Sequence, residues 1–109
     1  MMQPEPQKAP LLVSTSQVVR GGISGRGLSF ALERIGHDVW FLPTVLLPWH
    51  PGQGKGTRIV ASCEDFSALA GDLAASPKLA ELGGGRTGYL GNAEQAAPGA
   101  ALVRAVMTA

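Results

Sequence analysis

Residues 11–36, LLVSTSQVVRGGISGRGLSFALERIG, decide the fold, because they predict a strand, a glycine-rich loop and a helix in that order. The apolar run that begins at Leu11 turns polar by Ser16, as in a buried strand that reaches the rim of a sheet. Glycines at 21–27 require a loop. The apolar residues that follow are spaced as one face of an amphipathic helix: Leu28, Ala31, Leu32 and Ile35. Gly36 then suits a helix end, where positive φ is common.

The rest of the chain continues this alternation of strands and helices. Further strands are predicted at residues 39–42, 57–61 and 86–90, and a helix with an apolar face follows a capping box at Ser62. A second N-cap pattern, with Gln three residues on, spans 92–95, and Pro98 is expected to interrupt the helix it starts. Alternating strands and helices favour an α/β fold, with a mostly parallel sheet between helical layers.

Length and composition restrict the chain to one small domain. It has 109 residues, 16% of them charged, and a formal net charge of +1, which excludes the basic surface of a nucleic-acid-binding or membrane-binding protein. The single cysteine, Cys63, excludes an internal disulfide or a structural zinc site and favours a reducing, cytoplasmic location. Residues 1–9 are predicted to be a flexible tail, and residues 10–109 the domain.

The glycine-rich segments match no nucleotide-binding fingerprint. Gly22, Gly25 and Gly27 have the spacing G-x-x-G-x-G, the reverse of the dinucleotide motif, and Gly54-Lys55 lacks the flanking residues of a P-loop. A looser expectation survives, because ligands of open α/β sheets bind beyond the carboxyl ends of the strands. Ser16 has that position, although an ordinary polar strand end is an equal alternative.

Two further residues are candidates for ligand contact. His50 lies between Trp49 and Pro51 in a loop, where a solvated histidine is the simpler interpretation. Tyr89 is the only tyrosine and has glycines close on both sides, which would let its ring face a planar ligand; core packing explains the spacing equally well. The sequence alone does not assemble a nucleophile, a base and an orienting group.

Several segments together resemble the N-terminal part of a pyridoxal kinase, in the ribokinase-like superfamily. The most specific of them is Thr87-Gly88-Tyr89-Leu90-Gly91-Asn92-Ala93-Glu94-Gln95. The others occur in the family's order and spacing: Ser16-Gln17-Val18-Val19-Arg20-Gly21, Phe30-Ala31-Leu32-Glu33-Arg34-Ile35-Gly36, Val39-Trp40 with Pro43-Thr44-Val45, and His50-Pro51-Gly52-Gln53-Gly54. The resemblance therefore implies a three-layer α/β/α ribokinase-like fold.

The resemblance also implies an activity and a set of substrate contacts. Members of the family transfer phosphate from ATP, with Mg²⁺, to the 5′-hydroxymethyl group of pyridoxal or a related vitamin B6 vitamer. The serine that matches Ser16 hydrogen-bonds the pyridine ring system, and the loop that matches His50 and Pro51 lies over the substrate. The tyrosine that matches Tyr89 lines the ring pocket. We expect the vitamer as ligand, with neither nucleic acid nor membrane as partner.

Departures from the family limit what the chain is expected to do. Ser24-Gly25, Gln17 and Pro51 stand where the family usually has Gly-Asn, His and a polar residue such as Thr. The family's Asp-Pro-Val segment and its Gly-x-Gly-Asp loop with the catalytic aspartate have no counterpart up to Ala109. We therefore assign no catalytic and no metal-binding residue, and we expect ATP and Mg²⁺ not to bind this chain well.

Two functional hypotheses follow. In the first, the chain carries the substrate-side half of a pyridoxal kinase and is inactive by itself. In the second, it is a remnant or an interaction module without a small-molecule ligand. An incomplete sheet exposes an edge and an apolar face, which favours a partner, a homodimer or aggregation.

Overall fold

A computed structural model describes residues 8–22 and 24–108, excluding the side chain of Ser24. It contains a four-stranded sheet of order β3-β2-β1-β4. β1 is parallel to its neighbours β2 and β4, whereas the short β3 is antiparallel to β2. The predicted mostly parallel sheet is confirmed. The strands are β1 Lys8–Val18, β2 His37–Leu47, β3 Ile59–Val60 and β4 Gly84–Thr87.

Helices cover both faces of this sheet. α1 packs on β1 and β2, while α2 and α3 pack against each other and against the opposite face. Side chains alternate along a strand, so Leu12 faces α2 and α3 while Val13 faces α1. The predicted three-layer α/β/α arrangement is therefore confirmed. The helices are α1 Ser24–Arg34, α2 Cys63–Ala75 and α3 Ala96–Thr108, and 3-10 turns span Pro51–Gln53, Pro77–Glu81 and Ala93–Gln95.

The main core lies between the sheet and the two helices α2 and α3. Leu12 and Leu42 from the central strands meet Phe66 of α2 and Leu102 of α3. Phe66 is completely buried. A smaller apolar cluster, formed by Val18, Val45 and Leu47, lies near the ends of β1 and β2. The second half of the chain thus covers one face of β1 and β2, while α1 covers the other.

The predicted helix start at Ser62 and the positive φ predicted at Gly36 are observed, but the predicted break at Pro98 is not. Ser62 accepts a hydrogen bond from the Asp65 amide at 3.0 Å and begins α2 as expected. Gly36 has φ +103°, as predicted for a helix end, but α1 already ends at Arg34. The prediction of Ile35 on the apolar face of this helix is therefore wrong, because Ile35 lies outside the helix and is 57% exposed. The predicted interruption at Pro98 is wrong, because this proline lies in the first turn of α3, where its missing N–H removes no intrahelical bond.

All four strands differ from their predicted bounds, since β2 spans His37–Leu47 and β3 only Ile59–Val60. β1 already begins at Lys8 and so includes Lys8 and Ala9 of the predicted tail, while residues 1–7 lie outside the described part of the chain. β4 begins at Gly84, earlier than predicted, and pairs with β1 from Leu11 onwards. Within the described ranges, no strand pairs with the outer edge of β4.

Candidate functional site

The candidate site lies where the three parallel strands end, which we call the carboxyl edge. Beyond it, the main chain after β1 stays beside the main chain after β2: the Val19 amide donates to the Leu47 carbonyl at 2.8 Å, and the Arg20 amide to the Pro48 carbonyl at 2.9 Å. β4 ends at the same edge and leads into residues 88–91, which we call the Tyr89 loop. The parallel topology thus places the segments that follow β1, β2 and β4 on one side of the molecule.

Ser16 is buried in β1, close to the carboxyl edge, with 5% of its surface exposed. The start of α1 packs directly over it. A Cβ atom added at Gly25 would lie 2.2 Å from the Phe41 ring and 2.9 Å from the Ser16 carbonyl oxygen. Only glycine at position 25 lets α1 pack this closely on the sheet. This glycine therefore has a structural role that does not depend on a bound phosphate.

The main chain of the Tyr89 loop is fastened to both central strands. The Gly88 amide donates to the Ser14 carbonyl at 2.8 Å, and the Tyr89 amide donates to Thr15 Oγ1 at 3.2 Å. On the other side, Thr44 Oγ1 of β2 donates to the Tyr89 carbonyl at 2.6 Å. These bonds hold the backbone of Tyr89 beside Thr15, the neighbour of Ser16, while the residue itself is 55% exposed.

Gln95 forms a second, fully buried brace behind the Tyr89 loop. Its Oε1 accepts from the Gly91 amide at 2.7 Å, and its Nε2 donates to the Thr44 carbonyl at 2.9 Å. The predicted capping interaction is wrong here: the Asn92 side chain makes no cap hydrogen bond, and Gln95 reaches Gly91 and β2 instead. A Cβ added at Gly91 would lie 2.6 Å from Val60 Cγ1 and 2.8 Å from the Thr44 carbonyl oxygen, so only glycine fits this position.

His50 and Pro51 lie in the loop of residues 48–56, which we call the His50 loop. His50 Nδ1 accepts from the Gly52 amide at 3.0 Å and so caps the 3-10 turn that Pro51 begins. Both residues are exposed. Pro51 lines an open cleft of about 510 Å³ together with Trp49, whose indole N–H donates to the Gly54 carbonyl at 3.1 Å. The hydrogen bond of His50 is thus local, and it orders the loop.

Arg58 contacts Tyr89 from the cleft beside the His50 loop, and sequence reasoning missed this contact. Its Nη2 donates to the Tyr89 hydroxyl at 3.1 Å and to the Gly91 carbonyl, and its guanidinium carbon lies 5.8 Å from the centre of the tyrosine ring. Arg58 also lines the cleft beside Pro51. No local pattern in the sequence indicates this contact, because Arg58 and Tyr89 are 31 residues apart.

Arg58 thus contacts Tyr89 and lines the cleft beside the His50 loop, while Ser16 lies in β1 next to Thr15, which holds the Tyr89 amide. Within residues 8–22 and 24–108, no three histidine, cysteine or acidic side chains lie together in a way that suits a metal ion. We therefore assign no ligand of Mg²⁺ in this part of the chain. The helices of the described ranges lack the length and apolarity needed to cross a bilayer.

Sequence comparison finds pyridoxal kinases among the relatives of the chain. No protein-family model matches the chain. Pyridoxal kinase PdxY of Haemophilus influenzae is 36% identical over 80 residues, which cover 73% of this chain and 28% of that protein. Pyridoxal kinase PdxY of Pseudomonas paraeruginosa is 34% identical over 90 residues, covering 83% and 31%. Over most of its length, the chain is therefore similar to pyridoxal kinases. It matches the N-terminal part of these proteins and spans about a third of their length or less.

Solved structures of pyridoxal kinases agree with this assignment. The enzyme of Leishmania donovani, in complex with ADP and pyridoxamine, has a TM-score of 0.73 and 26% identity, covering 90% of this chain and 36% of that one. The enzyme of Trypanosoma brucei is 23% identical and has a TM-score of 0.79, again covering 90% of this chain and 36% of that one. This second similarity supports the fold. The expected ribokinase-like fold and the resemblance to pyridoxal kinases are therefore confirmed.

Proposed function

We propose that this chain forms the vitamer-binding part of a pyridoxal kinase. In that role it would hold pyridoxal or a related vitamer for ATP-dependent phosphorylation of the 5′-hydroxymethyl group. One observation carries the proposal: the Tyr89 amide is bonded to Thr15, the neighbour of Ser16 in β1, and Arg58, which bonds the Tyr89 hydroxyl, lines the same cleft as Pro51 of the His50 loop. These are the segments whose counterparts contact the vitamer according to the family resemblance. The lone cysteine favours a cytoplasmic setting for this function.

Binding of pyridoxine to the 109-residue chain tests this proposal. Pyridoxine is the appropriate vitamer because it has no aldehyde, so it cannot form an imine with the lysines at 8, 55 and 78. We expect isothermal titration calorimetry to detect binding to the parent chain. Tyr89→Ala should weaken it about tenfold, because an aromatic face that stacks on a planar ring is lost. Tyr89→Phe, which keeps the ring, is the matched control and should retain most of the affinity.

The outcome separates the two functional hypotheses. Absence of pyridoxine binding by a folded parent chain would contradict a vitamer pocket and favour an interaction module. The observation that supports this second candidate is the outer edge of β4, which no strand of the described residues covers. Under that alternative, the chain should form a dimer or bind another polypeptide, which light scattering on the same samples would detect.

We further propose that the 109 residues bind the vitamer without phosphorylating it. Phosphoryl transfer requires groups that hold the nucleotide and its metal and a residue that accepts the hydroxyl proton. The matched part of the curated relatives is 28–31% of their length, and the resemblance puts those groups in the remainder. We expect no pyridoxal 5′-phosphate from purified chain, pyridoxal and Mg-ATP in a chromatographic assay. Product formation that scales with chain concentration would contradict this.

A further inference from the structure

Arg58 is the residue that holds the exposed side chain of Tyr89. Tyr89 is 55% exposed, so packing alone restrains its ring weakly. The guanidinium of Arg58 supplies three restraints at once: a hydrogen bond to the phenol oxygen, another to the Gly91 carbonyl, and a position 5.8 Å from the ring centre. A planar guanidinium with a fixed set of N–H donors can make all three contacts together, which a lysine ammonium cannot.

The same arginine contributes positive charge to the cleft beside the His50 loop. Both hydrogens of Nη2 are engaged by Tyr89 and Gly91, which leaves the N–H groups of Nη1 and Nε without a hydrogen bond to the described part of the chain. Among the residues that the structure describes, those that line the cleft include a second cation, Lys55, and no carboxylate. The positive charges of Arg58 and Lys55 therefore favour a neutral or anionic ligand on this side of Tyr89 and disfavour a cationic one.

We propose that Arg58 positions the Tyr89 ring and makes the site discriminate among vitamers by charge. The inference rests on the proposed function. Pyridine rings with a neutral substituent at C4, such as the alcohol of pyridoxine or the aldehyde of pyridoxal, are accepted. Pyridoxamine, whose 4-aminomethyl group is a cation at neutral pH, is disfavoured by Arg58 and Lys55. Arg58 acts on the pocket through Tyr89 and through its charge, and it has no part in the transfer of phosphate.

Because Tyr89 is the only tyrosine, its position can be followed directly. Chain labelled with 3-fluorotyrosine has one protein ¹⁹F resonance, and we expect Arg58→Gln to shift it and Arg58→Lys to restore it incompletely. Arg34→Gln, the same change at the far end of α1, should leave the resonance in place. Circular dichroism verifies that each variant is folded. A resonance that is unchanged in Arg58→Gln would overturn the positioning role.

Calorimetry with two vitamers tests the discrimination. We expect the parent chain to bind pyridoxine more tightly than pyridoxamine, and Arg58→Gln to reduce that ratio about threefold, as is typical of one partly exposed charge. Lys55→Gln should reduce the ratio without moving the ¹⁹F resonance, which separates charge from positioning. If both vitamers bind and Arg58→Gln leaves the ratio unchanged, the specificity role fails and the proposed function stands. If neither binds, the proposed function fails and the specificity role with it, and the ¹⁹F resonance still decides the positioning role.

Discussion

Phe66→Ala is expected to lower the free energy of unfolding by about 4 kcal/mol, the usual cost of a cavity left by a buried phenylalanine. Phe66 is fully buried, and it joins α2 to the sheet beside Leu12 and Leu42. A domain of this size is stable by about 5–15 kcal/mol, so the variant should be close to unfolding. Urea titration followed by far-UV circular dichroism measures the change.

The chain contains a matched control for this substitution. Phe30 lies on α1 with 66% of its surface exposed, so Phe30→Ala removes the same atoms from a site that packs loosely. We expect its cost to stay within about 0.5 kcal/mol, as for most surface substitutions. Equal losses in the two variants would contradict the assignment of the main core to the α2 and α3 side of the sheet.

Local patterns predicted the order of strands and helices, because several of these elements have a strong local signal. The run from Leu11 and the cap at Ser62 are examples, and both fix an element without reference to the rest of the chain. Apart from the strand bounds, Pro98 and the Asn92 cap, the errors concern packing. Leu69 shares the predicted apolar face of α2 with Phe66, yet it is 50% exposed, because only a narrow face of this helix meets the sheet. Periodicity gives the direction of a helical face but not its buried width.

The candidate site was predictable only in its location. Parallel strands end at one edge, so Ser16, the His50 loop and the Tyr89 loop were bound to lie on one side of the sheet. The contacts that order the site join distant residues: Arg58 and Tyr89 are 31 positions apart, and Gln95 and Thr44 are 51 apart. No local pattern contains such pairs, and the local capping pattern at Gln95 pointed to a different partner.

Gln95→Leu is expected to lower the free energy of unfolding by about 3 kcal/mol. The substitution leaves the Gly91 amide and the Thr44 carbonyl without their partner in a buried place, and each unsatisfied group costs about 1–3 kcal/mol. Leucine has nearly the same volume as glutamine, so the loss reflects hydrogen bonding rather than a cavity. The same urea titration measures it, and Gln53→Leu, at an exposed position in the His50 loop, is the matched control and should change stability little.

Gln95→Leu also tests whether pyridoxine binding depends on the hydrogen bonds that stabilise the Tyr89 loop. Because Gln95 holds Gly91, and Arg58 donates to the same residue's carbonyl, loss of the brace should loosen the Tyr89 ring as well as the backbone. At a temperature where the variant is still folded, we therefore expect its ¹⁹F resonance at Tyr89 to shift and its affinity for pyridoxine to fall. A variant that lost the full 3 kcal/mol yet bound pyridoxine as tightly as the parent would separate the brace from the pocket, and Gln95 would then be a core residue only.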